Sequence, residues 1–442
     1  MINNTTVAFR GEILHFLSDP AKGQADSHQY FQDGVLVVTN GLVESVGPAS
    51  DVLATLPNTV EIKQHHNGLL IPGFVDTHIH YPQTEIIGSY GEQLLEWLDT
   101  YTFPTESQFG DSEFAAPRAQ FFLDQLMANG TTTALVFGSV HPQSVDAFFE
   151  RAQAMNLRMI CGKVMMDSNA PDNLTDTAQS SYDDSKALIE KWHGKGRLHY
   201  AVTPRFAPTS SREQLDKAGQ LLQEYPDVFM HTHLSENHNE CQWVSELFPE
   251  CENYLDVYDQ HGLLSKRSVF AHGIHLCDSE YQRLSDTDSS LSFCPTSNLF
   301  LGSGLFDLKK AEQYNIDVGL GTDVGAGTSF SQLQTLNEGY KIQQLRGDKL
   351  TAFKSFFLAT LGGAQALDLD HKIGNFVVGK EADFVVLDYH ATDLMRVRMN
   401  QTTSIDERLF VLSIIGDDRA VKQTYVMGEL LHDRDNKKPS VL

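Results

Sequence analysis

Six side chains in this sequence could share one piece of chemistry. His78 and His80 close the run Leu70-Ile71-Pro72-Gly73-Phe74-Val75-Asp76-Thr77-His78-Ile79-His80. At positions i and i+2 of a strand they leave the same face, and two imidazoles at one strand end are half of a metal site. His233 and Glu236 lie in His231-Thr232-His233-Leu234-Ser235-Glu236, His272 in Ala271-His272-Gly273, and Asp323 ends Gly321-Thr322-Asp323. Any one of these histidines alone reads as a packed core residue. Together, three nitrogens and one carboxylate (His78, His80, His233, Asp323) make a ligand set suited to Zn²⁺ or Fe²⁺.

A metal with an open position lowers the pKa of bound water toward about 7 and so supplies hydroxide at neutral pH. Asp323 could bind the metal, accept the water proton, or do both. Glu236, three residues past His233, can lean over the metal without ligating it, a placement suited to a proton shuttle. His272 could hold the hydroxide or polarise a substrate. His231 shares a face with His233 and is the alternative ligand. His233 is preferred because it ends the run beside Leu234-Ser235-Glu236, which leaves His231 to packing or hydrogen bonding.

These residues need a scaffold that brings them together. From about Leu69 short apolar runs alternate with amphipathic segments: Leu70–His78, Thr131–Gly138, Leu157–Met166, Leu198–Thr203, Val228–His233, Ser268–His272, Ser290–Cys294 and Ile316–Thr322. Such alternation predicts an α/β chain folded as a parallel (β/α)8 TIM-like barrel, whose C-terminal strand ends converge on one pocket. No G-x-G-x-x-G opens a helix, so a doubly wound dinucleotide site has no support. The aromatic and acidic stretch 81–114 after the first run reads as a specificity loop. Residues 1–68 are strand-rich, with Asn40-Gly41 a two-residue hairpin signal, and strands return after Ile373. We expect these ends, 1–68 and 373–442, to form one small β-sandwich domain around a barrel spanning 69–372.

The formal net charge of -25 argues against nucleic acid and anionic membranes as partners. Five scattered cysteines without a C-x-x-C argue against a disulfide framework or a cysteine zinc site. Neither a signal peptide nor a run of about 18 apolar residues is evident, so a cytoplasmic setting is expected. Two-metal barrel sites use a carboxylated lysine at the fourth strand end. Here that end reads Thr203-Pro204-Arg205-Phe206, and Lys163, on the third run, is the only lysine near. One metal is expected.

Pro72–His80, His233–Glu236, His272 and Gly321–Asp323 resemble the amidohydrolase superfamily in its mononuclear deaminase branch. Asp76–Gln83 with Tyr90-Gly91, Leu95-Glu96-Trp97-Leu98, Tyr101–Glu106, Gly162–Asp167, Thr203–Thr209 and Cys294–Phe306 narrow the resemblance to its guanine-deaminating family. Nearly the whole chain is covered. The resemblance implies hydrolysis of guanine to xanthine and ammonia, one zinc per subunit and a homodimer. Arg205 offers a fork of donors for a carbonyl and ring nitrogen, and Gln83 can donate and accept along a purine edge. Phe206 and Trp97 could supply flat walls, with His233 and Asp323 also touching substrate. The alternatives are another aminohydrolase (pterin, triazine, cytosine or adenine-type rings) and a non-catalytic binding protein, although no ligand or acid of the set is missing.

Overall fold

The computed structural model describes residues 5–23, 26–90 and 93–436. Met1–Asn4, Gly91 of the Tyr90-Gly91 pair, and the part of the polar tail after Asn436 lie outside the described residues. The strands, in chain order, are β1 (Thr6–Phe16), β2 (His28–Thr39), β3 (Leu42–Pro48), β4 (Glu61–Pro72), β5 (Phe74–His80), β6 (Thr131–Phe137), β7 (Arg158–Gly162), β8 (Val164–Met165), β9 (His199–Pro204), β10 (Phe229–Leu234), β11 (Ser268–His272), β12 (Ser290–Phe293), β13 (Val318–Leu320), β14 (Phe384–Asp388), β15 (Val421–Val426) and β16 (Glu429–Asp433).

Strands from both chain ends build a seven-stranded sheet in the order β16-β15-β14-β4-β1-β2-β3. Its β2–β3 hairpin turns at Asn40 and Gly41, both at positive φ (53° and 82°), as a type I′ turn requires. The β3 edge is not left open. Val43 N–H donates to the Lys380 carbonyl and Gly379 N–H to the Val43 carbonyl, folding the sheet over the Phe9, Leu36, Phe384 and Tyr425 core.

The parallel strands run β5-β6-β7-β9-β10-β11-β12-β13, with short β8 beside β9. Asp323 N–H donates to the His78 carbonyl and His80 N–H to the Val324 carbonyl, each at 2.9 Å, which joins the last strand end to the first and closes the α/β barrel. Strands such as β5 and β6 are buried at every residue, because the barrel interior covers one face and helices the other. Inside, Val75, Leu135, Ile160, Phe229 and Val269 form an apolar lower layer, stoppered by Ala364, Leu367 and Leu369. The ligand and proton-carrier candidates stand at the opposite end.

Three expectations about strands are corrected. Leu70–His78 spans two strands, β4 and β5, with Gly73 between them. A Cβ there would stand 2.1 Å from the Thr132 hydroxyl, so only glycine fits. Leu157–Met166 breaks at Lys163. The eighth run keeps only Val318–Leu320, since Thr322 and Asp323 already turn into the site. The helices Gln332–Arg346, Ala352–Phe357 and Ile405–Ile415 were not legible. Gln332 and Gln343 are buried polar residues on the first, and the last is charged at Asp406, Glu407 and Arg408 and then runs almost continuously apolar from Leu409 to Ile415, so neither shows a clean 3.6-residue stripe.

A candidate metal-dependent active site at the barrel mouth

Each ligand candidate stands where a barrel strand ends. His78 and His80 project from β5, His233 from β10, and Asp323 follows β13. Ser235, His272 and Asp323 are held at positive φ (47°, 73° and 52°), a backbone state that costs non-glycine residues about 1–3 kcal/mol and concentrates at functional sites. Burial of the surrounding barrel holds them there.

The His78 and His80 Nε2 atoms are 3.2 Å apart, and those of His80 and His233 3.3 Å. Asp323 Oδ1 lies 3.1 Å from His78 Nε2 and 3.3 Å from His80 Nε2. A tetrahedral ion with bonds of 2.0–2.1 Å needs ligand–ligand edges of about 3.3–3.4 Å, and these four of the six edges approach that length, with His78, His80 and His233 close enough to share one ion. Protonation agrees. His233 Nδ1–H donates to the Arg205 carbonyl at 2.7 Å, which leaves the Nε2 lone pair facing the cluster. Burial lowers His80 to about 4 and His233 well below its usual range, so both imidazoles are neutral, as ligation requires. Burial opposes the Asp323 charge, but His78 and His80 hold its carboxyl well below the usual range. The residues fit a divalent metal.

Around this cluster stand two groups able to move protons. The Asn298 amide donates to His272 Nδ1 at 3.0 Å, so His272 presents Nε2–H, 3.4 Å from Glu236 Oε2 and 3.9 Å from Asp323 Oδ2. Burial, then the neighbouring Asp323 and Glu240 carboxylates, push Glu236 well above its ordinary pKa. Ser303 donates to Glu236 Oε1 at 3.1 Å, and Glu240 accepts the N–H of Glu236 and Asn237, fixing the turn that carries the acid.

Every expected site residue except His78 lines the same cleft, with Leu94, Leu98, Glu240 and Ala326; His78 is fully buried behind it. Trp97 and Phe206 are in its wall. Arg205 and Gln83 meet on Glu106, which sequence reasoning passed over. Its signal was only an acid in the aromatic insertion. His231 Nε2 is 2.8 Å from His78 Nδ1, behind the cluster. Lys163 is buried and paired with Asp176, away from the cleft. Cys294 is packed in the barrel interior.

The amidohydrolase family model matches residues 69–431. The chain belongs to the amidohydrolase family. Guanine deaminase of Escherichia coli K12 is 55% identical over 98% of this chain and 99% of that protein. The solved structure of E. coli guanine deaminase superposes with a TM-score of 0.95, covering 97% of this chain and all of that one. Guanine deaminase from C. acetobutylicum with bound guanine in the active site matches at 30% identity and TM-score 0.87, over 97% of this chain and 100% of that one. Hydrolysis at a metal site is the chemistry of this amidohydrolase family, and the ligand cluster sits at the barrel end where the fold builds its active sites.

Proposed function

We propose that this amidohydrolase hydrolyses guanine to xanthine and ammonia, using one zinc ion per subunit held by His78, His80, His233 and Asp323. One observation carries the reading: a close cluster of three imidazoles and a carboxylate stands next to an acid, Glu236, which burial and neighbouring carboxylates push well above its ordinary pKa, favouring its protonated form. The guanine specificity is supported by the relatives at 55% and 30% identity.

A zinc ion held by His78, His80, His233 and Asp323 would supply an activated water at neutral pH. Arg205 and Gln83 hold the polar edge of the purine, while Phe206 and Trp97 flank its plane. Glu236 takes one proton from the water and delivers it to a ring nitrogen next to the amino-bearing carbon, as oxygen adds to that carbon. His272 donates Nε2–H to the new oxygen. Asp323 accepts the remaining hydroxyl proton and passes it to the amine, which leaves as ammonia while the carbonyl forms. The sum is guanine and water in, xanthine and ammonia out.

A cytoplasmic homodimer completes the proposal. The five free thiols suit a reducing compartment, and no helix among the described residues is long and apolar enough to cross a membrane. Ammonia release from guanine, with metal counted in the same sample, is the test. Turnover with about one zinc per chain is expected. A metal-loaded protein that ignores guanine but turns over a pterin, triazine, cytosine or adenine-type ring would overturn the substrate.

A further inference from the structure

Glu106 stands in the short helix Phe103–Glu106, directly after a π-helical turn at Leu98–Thr102. It is fully buried. Oε2 accepts from Arg205 Nη1 at 2.7 Å, and Oε1 accepts from Arg205 Nη2 at 3.3 Å and from Gln83 Nε2 at 2.9 Å. Gly325 N–H donates to Gln83 Oε1 at 3.2 Å. The amide of Gln83 is therefore locked in one orientation, oxygen toward Gly325 and nitrogen toward Glu106. The Arg205 guanidinium lies against the Phe103 ring at 5.4 Å and meets a carboxylate before any substrate arrives.

A buried acid on an insertion, reaching two residues from different elements, exceeds what packing requires. A buried carboxylate is costly to desolvate and breaks even only when fully paired. We propose that Glu106 is the positioning and charge-balancing residue of the purine subsite. It sets the donor and acceptor order of Gln83 and cancels the Arg205 charge, so that the cleft selects the neutral purine over its anion. This rests on the proposed guanine reaction. The product matters because xanthine, with ring N–H groups between carbonyls, is more acidic than guanine and loses a proton in mildly alkaline solution. An unbalanced Arg205 beside a metal cation would retain that anion.

His141 feels the Glu106 charge, and Arg205 in turn disfavours protonation of His80 and His233. Asp323, Glu236, Glu240 and His272 line the same cleft, but among the described residues the carboxylate that forms an ion pair with Arg205 is Glu106.

The test is xanthine binding to the metal-loaded enzyme and to Glu106→Gln, by calorimetry, from mildly acidic to mildly alkaline solution. In the parent protein affinity should fall as xanthine ionises. In Glu106→Gln it should rise, by about tenfold, while KM for guanine increases because Gln83 is no longer fixed. Adding Arg205→Met to Glu106→Gln should abolish the alkaline gain. Loss of guanine and xanthine affinity in parallel at every pH would reduce Glu106 to a structural residue and overturn the proposal. A parent protein that neither turns over guanine nor binds xanthine would instead remove the guanine reading, and this inference with it.

Discussion

The two halves of the cleft are built differently. The proposed metal half is made from strand ends of one barrel: β5, β10, β11 and β13 each bring a proposed ligand or proton carrier to a shared focus. The proposed purine half rests on an insertion laid over the barrel mouth, where Ile86, Leu94, Trp97, Leu98 and Phe103 pack on Phe137, Val164, Met166 and Phe206. In the first half position follows from backbone topology. In the second it follows from side chains that hold one another, with Glu106 at the centre. Damage to the two should have different signatures.

The largest effect is expected from the metal half. His233→Ala or Asp323→Ala should abolish both bound metal and turnover by several orders of magnitude, checked by metal analysis of the purified variant. Glu236→Gln should separate the two: metal stays, while kcat drops about 10²–10⁴-fold, read from steady-state kinetics beside a metal count. Metal loss with that variant would mean Glu236 is a ligand and would redraw the proton path. His231→Gln should be milder. It disturbs the Nδ1 contact of His78, and such outer partners are worth about 10–100-fold in metal affinity, measurable by competition with a chelator. At saturating metal its kcat should return.

This half was legible beforehand because its signal is periodic. A strand ending in polar residues after apolar ones announces itself, and the barrel converts sequence order into proximity. His231 shows the limit. It and His233 share a strand face, and only the hydrogen bonds distinguish them, one imidazole fixed by the Arg205 carbonyl and the other set against His78. Glu106 figured in the sequence only as the last residue of the Tyr101–Glu106 segment, and its pairing with Arg205 and Gln83 was not legible. Nothing in Thr105-Glu106-Ser107 marks an acid that pairs with an arginine 99 residues away, and the turns around it, 3-10 and π as well as α, carry no regular period. The helices Gln332–Arg346 and Ile405–Ile415 escaped for a related reason, since burial on several sides erases the amphipathic stripe.

The purine half should respond in binding and stability together. Arg205→Ala should raise KM for guanine, and it also strands the buried Glu106 carboxylate, a change that typically costs about 3–5 kcal/mol. Chemical denaturation should show this loss, whereas a surface ion pair would cost under about 1 kcal/mol. The double variant Arg205→Met with Glu106→Leu should recover much of the stability without restoring KM. Equal stability of Arg205→Ala and the parent would mean that the pair is solvated in solution, and the contrast between the halves would weaken.

The smallest effect is expected at Trp97. Its ring is buried in the cleft wall, and the indole N–H has no hydrogen-bond partner. An unsatisfied buried donor costs about 1–3 kcal/mol, so Trp97→Phe removes a liability as well as part of a wall. A role confined to packing predicts a small gain or no change in melting temperature and an unaltered KM. A role in the purine wall predicts a KM raised a few-fold, since ring contacts are worth about 0.5–1.5 kcal/mol, with kcat preserved because no proton passes through the indole. We expect the second outcome, because Trp97 lines the same cleft as Arg205 and Gln83. An unchanged KM would assign the ring to the insertion's own core and leave Phe206 as the wall.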